Sequence, residues 1–287
     1  MRCQNLSLIS LTTGLITIVL GISACNLEKE ITIELPPYNS RISLECYLEA
    51  GGPFLLSLTK TAPYFENFPT LNDQFLENIL EDSASVVIRH KGVNYPLQNT
   101  IFFNPFTGKL YNYIALTPVP EDYTSDFVLE ITTKSGKTIT AKTRLLPKVP
   151  IDSVVVQFAE NDTLARVLTY LNDDPATVNY YRRMLHAGNL DSVPQQDFTT
   201  DDRFVTNGRF VFGTSYDFVE GDTIINTLYH IDRAYFDYFE SVQTAFFSNG
   251  NPFGQPSPIN SNLSGTANAI GIFTGLSYDR VFTIIRR

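Results

Sequence analysis

Tryptophan is absent from the 287 residues, methionine occurs twice, and histidine and cysteine occur three times each. Without tryptophan the chain lacks one of the strongest side chains for stacking on sugars, so its aromatic surface rests on phenylalanine and tyrosine. His90, His186 and His230 lie in separate segments, too few and too scattered for a zinc site of three or four ligands. There is no Gly-x-Ser-x-Gly elbow, no His-Glu-x-x-His and no phosphate-binding glycine loop. Positive charge is also scarce: 21 Lys and Arg stand against 30 Asp and Glu, a net charge of −9. That excludes a protein that grips nucleic acid phosphates, and it argues against docking by charge onto an anionic membrane. No cofactor is implied, and the chain reads as a non-enzyme.

What is present is apolar and rich in β-formers. Hydrophobic residues make up 43%, with 21 Phe and 15 Tyr, and 16 Pro and 16 Gly supply turns. That composition suits a folded, mainly β protein.

The N-terminus carries an address. Arg2 precedes an uncharged apolar stretch from Leu6 to Ile22, the pattern of a secretory signal peptide. A membrane-spanning helix needs about 20 apolar residues, and Ser7, Ser10, Thr12, Thr13 and Thr17 dilute this run. Ile22-Ser23-Ala24-Cys25 resembles a bacterial lipobox, which makes Cys25 the lipidated first residue of the mature chain, with residues 1–24 removed. Acyl chains contribute about 0.8 kcal/mol per buried CH₂, so several would hold the protein on a bilayer durably. Removing residues 1–24, which contain one Arg and no acid, moves the charge from −9 to −10. Cys3 leaves with the signal and Cys25 is acylated, so Cys46 remains as a lone thiol and no intrachain disulfide forms. Glu28 and Glu30 in "NLEKE" follow the anchor.

Beyond a tether at 25–40, period-two alternation dominates. In "RISLECYLE" Ile42, Leu44, Cys46 and Leu48 share one strand face, which places Cys46 in a core. "FLLSLTKT", "ASVVIRHKGVNYPLQ" and the hairpin "DFVLEITTKSGKTITAKTRLLP", turning at Ser135-Gly136, predict a β-sandwich over 41–147. Residues 63–82 interrupt it as a short helix or a functional loop. "LPKVP" at 146–150 reads as a stiff boundary. From 151 to 287 a second β domain follows, a barrel or sandwich built from "DSVVVQFAE", "TLARVLTYL", "NYYRRMLHAG", "GRFVFGTSYDF" and "DTIINTLYHI". It carries one helix at about 233–249, with Tyr235, Phe239, Val242 and Phe246 at helical spacing, Asp232 as cap and Gly250 as its end.

Six blocks in order resemble one family: the lipobox at Cys25, "RISLECYLE", "LSLTKTAPYF", "ITAKTRLLPKVPIDSV", "DDPATVNYYRR" and "NPFGQPSPINSNLSGTANAIGIFTG". The pattern is similar to the Bacteroidota outer-membrane lipoproteins of domain of unknown function 4249 (DUF4249). That resemblance implies an immunoglobulin-like first domain, a C-terminal β domain, and association with TonB-dependent outer-membrane transporters. It implies no catalytic residue. Tripeptides resembling the O-glycosylation signal of that phylum place candidate sites at Ser83, Ser153, Thr163, Ser192 and Thr223.

The remaining polar residues have local explanations. His186, on a face with Tyr180, Arg182 and Met184, reads as a partly buried strand histidine. Asp173, Asp174, Asp201, Asp202, Glu220 and Asp222 could offer oxygens to calcium but match turn chemistry better, so no metal site is assigned. The expected function is a lipid-anchored binding component of the outer membrane, exposed at the cell surface, with a periplasm-facing placement as the alternative. A structural or assembly factor of the envelope is the second reading, and a metal-dependent hydrolase the third. Phe253, the one large apolar residue of a polar loop, is the candidate partner contact.

Overall fold

A computed structural model describes residues 39–62, 73–105, 108–160, 162–203, 205, 208–249 and 257–287. Cys25, Phe253 and Gly250 lie outside them. Among the described residues the protein is mainly β, with two helices, and no helix is long and apolar enough to cross a membrane.

The first unit is an eight-stranded sheet. Its strands are β1 (Ile42–Leu48), β2 (Pro53–Lys60), β3 (Ser85–His90), β4 (Val93–Asn104), β5 (Lys109–Pro118), β6 (Phe127–Thr132), β7 (Thr138–Thr143) and β14 (Ile270–Gly275), in the order β14-β1-β2-β5-β4-β3-β6-β7. Alternation decides the faces: Leu44, Cys46 and Leu48, then Phe54, Leu56 and Leu58, then Phe127, Leu129 and Ile131 are all buried. Each such side chain contributes about 1.5–3 kcal/mol. The strand β4 joins the two halves of the sheet. Its first residues pair with β3, its later ones pair with β5, and the register shifts between Asn99 and Phe102. The sheet curls until its end strands meet, where the Gly275 amide donates to Thr143 Oγ1 at 3.1 Å. The interruption after β2 contains helix α1 (Asp73–Ile79).

One strand of this sheet comes from the far end of the chain. β14 pairs in parallel with β1, Ser43 opposite Ile270 and Leu48 opposite Gly275. The stretch 151–287, expected to keep to a domain of its own, therefore completes the first sheet.

The second unit packs a three-stranded sheet on a four-stranded one. β8 (Ser153–Phe158), β9 (Ala165–Asn172) and β12 (Arg209–Gly213) run in the order β12-β9-β8. β10 (Tyr180–Ala187), β11 (Gln196–Asp201), β13 (Thr223–Ile231) and β15 (Ser277–Ile284) run in the order β11-β10-β13-β15. Between them lie Ile151, Leu171, Tyr181, Phe210, Phe212 and Leu228, with Ala165, Val167, Leu185, Phe218, Ile224 and Ile285 alongside. Helix α2 (Arg233–Asn249) begins where predicted, and Asp232 Oδ1 accepts the Tyr235 amide at 2.7 Å as its cap. Its inner face joins both units: Tyr235 packs with Ile231, with Ile272 of β14 and with Tyr47 of β1. The predicted apolar stripe fails at its end. Phe246 is 73% exposed, because the last turn leaves the surface that Tyr235 covers.

The "LPKVP" connector is pinned to the second unit. His230 Nδ1 lies 2.8 Å from Pro147 O, Lys148 Nζ 3.1 Å from Asp279 Oδ1, and the Ile151 amide 2.8 Å from Asp279 Oδ2.

A tyrosine-lined candidate binding site

The outer face of the four-stranded sheet, helix α2 and the end of β1 bring together five tyrosines and three cations. Strand alternation sends Arg183 of β10 into the core and its neighbour Arg182 outward, toward α2. Arg182 Nε and Nη2 donate to Asp197 Oδ1 and Oδ2, both at 2.7 Å, and Nη1 donates to Tyr235 Oη at 2.5 Å. Its guanidinium lies 4.6 Å from the centre of the Phe239 ring. Burial works against this charge, yet the Asp197 hydrogen bond and the electrostatic pull of Tyr235, Asp197 and Tyr229 together outweigh it and hold the Arg182 pKa above its ordinary value.

Around this pair the rings pack at steep angles and are capped by charge. Tyr47 meets Tyr235 at 5.9 Å with planes 87° apart, and Tyr229 meets Tyr278 at 5.3 Å. The hydroxyls of Tyr47 and Tyr238 both donate to Glu45, each at 3.3 Å. Lys109 Nζ, bonded to the same carboxylate, lies 4.6 Å from the Tyr47 ring centre. Arg280 stands 4.8 Å from the Tyr278 ring centre, donates Nε to Thr227 Oγ1 at 2.8 Å, and has no carboxylate partner among the described residues. Glu49 reaches solvent nearby, and burial raises its carboxyl above the usual range against the pull of Arg280.

The phenols are held neutral. Burial pushes Tyr235 up to about 12, opposed by Arg182. Burial and then Glu45 push Tyr47 and Tyr238 up, and burial raises Tyr229 against Arg182 and Arg280. The rings of Tyr47, Tyr229, Tyr238 and Tyr278 and the Arg280 guanidinium are partly exposed, whereas Tyr235 is buried. Groups of these kinds can engage a ligand by stacking, hydrogen bonding and charge.

The other sequence candidates fall elsewhere. Ser83, Ser153 and Thr163 are exposed, whereas Ser192 and Thr223 are half-buried and Ser192 Oγ donates to Asn189 O at 2.8 Å. Cys46 is fully buried, and burial drives its thiol pKa up, as suits a core residue. His90 stacks on Phe127 at 3.9 Å with Nε2 3.1 Å from Asp122 Oδ2, and His186 is buried on the outer sheet face. Among the described residues no three metal-ligating side chains cluster.

Two acidic segments do meet, which their sequence positions did not signal. Asn179 bridges them: its Nδ2 donates to Asp173 Oδ1 at 2.8 Å and its amide to Asp202 Oδ2 at 2.6 Å. The Tyr181 hydroxyl bonds Asp173 as well, so these oxygens are committed to the turn. A separate open hollow of about 610 Å³ lies by Phe158, Ala159, Asp162, Thr163 and Arg287. There Arg287 donates to Asp162 O at 2.5 Å and covers the Phe158 ring, so its polar groups serve each other.

No curated protein matches the chain. The family model described as Domain of unknown function (DUF4249) matches residues 28–280, nearly the whole length after the apolar N-terminal run. The chain belongs to the DUF4249 family.

Proposed function

We propose that this protein is a non-catalytic binding component of the outer membrane, anchored through lipid on Cys25 and exposed at the cell surface. The observation that carries the binding role is the cluster of neutral tyrosines beside Arg182 and Arg280, the latter without a carboxylate ion pair among the described residues. Three separate parts of the fold, β1, α2 and the four-stranded sheet, supply it. Large neutral aromatics with few, fixed polar groups suit recognition of a ligand that stacks and carries negative charge. The lipobox supports the address, and the resemblance to DUF4249 lipoproteins supports partnership with a TonB-dependent transporter. An immunoglobulin-like arrangement of the first sheet belongs to the same reading.

The experiment is affinity purification of tagged protein from solubilised outer membrane, beside the Arg280→Ala and Tyr278→Ala variants. A transporter should co-purify with the parent protein, and small molecules extracted from it should be depleted from the variants. Equal ligand content in all three proteins would remove the site from the proposal. Loss of the transporter alone would leave ligand binding standing without that partner.

A further inference from the structure

The core of the second unit holds a cation with no counter-charge. Arg183 projects from β10 between the two sheets and is 1% exposed. Its Nη1 donates to Gln196 Oε1 at 2.7 Å and, more weakly, to Gly213 O at 3.5 Å. Nη2 donates to Asn226 Oδ1 at 3.0 Å and to Thr169 Oγ1 at 3.4 Å. The guanidinium carbon lies over the Phe212 ring, 5.5 Å from its centre. Every one of these partners is neutral, and no carboxylate pairs with Arg183 among the described residues. Burial lowers its pKa to about 10, which still leaves it charged at neutral pH.

Two donors in this network lack an acceptor: Arg183 Nε and Asn226 Nδ2. In a guanidinium Nε–H and one Nη2–H point along a common edge, the edge that Arg182 uses to grip Asp197. On Arg183 the Nη2 group is met by Asn226 and Thr169, and Nε has no acceptor. Turning the Asn226 amide over would set an N–H against the guanidinium, so the orphaned Nδ2 is not removed by a flip. Leu228, opposite Arg183, and Leu185, opposite Asn226, wall the spot along the strands.

We propose that the two orphan donors, Arg183 Nε and Asn226 Nδ2, carried on side chains that are hydrogen-bonded to each other, bind a small monovalent anion, a halide such as chloride, inside the second β-sandwich. An anion satisfies both orphan donors and balances the buried charge together. A buried water would accept from the donors but leave the charge unopposed. The apolar walls suit a monatomic ion.

The test is the melting temperature of the full protein at fixed ionic strength as sodium gluconate is replaced by sodium chloride or bromide. A saturable rise of a few degrees is expected with either halide. Asn226→Asp puts a permanent carboxylate beside the guanidinium. That variant should melt higher than the parent in gluconate and lose its response to halide. A crystal grown in bromide should show an anomalous peak between Arg183 Nε and Asn226 Nδ2. A parent protein indifferent to halide, with no bromide peak, overturns the site, as does an Asn226→Asp variant that keeps the whole response.

Discussion

Gly271 stands opposite Leu44 in the parallel pair that ties the last part of the chain to the first strand, and a β-carbon on it would lie 1.8 Å from Leu44 O. Its φ of +132° is also one that side-chain-bearing residues rarely adopt. The contact is with backbone, so no rotamer change relieves it. Gly271→Ala is expected to cost about 3–5 kcal/mol in denaturant unfolding. Gly136→Ala, at φ +79° in an open turn with nothing within 4 Å of the added carbon, should cost about 1 kcal/mol. Equal losses for the two would show that β14 does not approach β1 as closely as described.

Arg182 and Asp197 form the polar centre of the tyrosine site, and their side chains are 19% and 26% exposed. Asp197→Asn keeps the shape but leaves a mostly buried guanidinium without a carboxylate. It should destabilise the protein by about 1–3 kcal/mol, the partial exposure moderating the loss. Replacing Arg182 by Met as well should recover part of that loss, and a double-mutant cycle by urea unfolding measures the coupling. A cycle that closes without coupling would mean that the pair does not hold the site together.

Much of the fold is legible in the sequence because period two survives wherever a strand has one buried face. β1, β2, β6 and β7 show it, and α2 shows its own period with Asp232 at its start. β14 was illegible as a strand of the first sheet for a physical reason. Ile272 and Phe273 are both fully buried on opposite faces, one toward α2 and one in the first core, so "IGIFTG" has no polar alternation to read. The tyrosine cluster was hidden for another reason. Tyr47, Tyr229, Tyr235 and Tyr278 sit at core spacing within their own elements, and only the parallel return of β14 brings β1 beside α2.

Acid should weaken the fold through two histidines. Burial lowers the pKa of His186, assisted by Arg280, and burial lowers that of His230 below the ordinary 6.5. A base whose folded pKa lies below its unfolded value takes up more protons when unfolded, so stability falls as pH drops below about 6.5. Asp126 and Asp201, held down by arginine and lysine hydrogen bonds, stay ionised through that window and act only at more acid pH. Unfolding free energy at pH 7.5 should therefore exceed that at pH 5.5, and the gap should shrink in the His186→Gln, His230→Gln double variant. An unchanged gap would assign the acid sensitivity to other groups.

The proposed lipid anchor gives a prediction independent of the fold. Cys25→Ala should abolish labelling by a fatty-acid probe and leave the protein as precursor or released into the soluble fraction. Labelling that persists in the variant would remove Cys25 as the attachment point.

Cutting the chain at the "LPKVP" connector should fail to release a stable first unit. The two units have separate cores, but Phe273, fully buried in the first, arrives with β14 from between two elements of the second, α2 and β15. The residues leading to it also lie on the first unit. Leu263, Ala267 and Ala269 pack on its core, and Ser264 and Thr140 exchange backbone hydrogen bonds of 2.9 and 2.8 Å. Asn262 braces β14 from its side chain, accepting the Phe273 amide at 3.0 Å and donating to Phe273 O at 2.7 Å. A fragment of residues 40–148 would lose all of these, uncover the edge of β1 and leave a void where Phe273 sits. Loss of that one side chain costs about 3–5 kcal/mol, a large share of the stability of a small domain. The fragment should therefore show a broad or absent thermal transition and a tendency to associate through the open β1 edge. Adding a synthetic peptide of residues 257–276 should restore a cooperative transition, and the same peptide with Phe273→Ala should do so poorly. A fragment that melts cooperatively without the peptide would establish the first unit as an independent domain and reduce β14 to a strap laid over a finished fold.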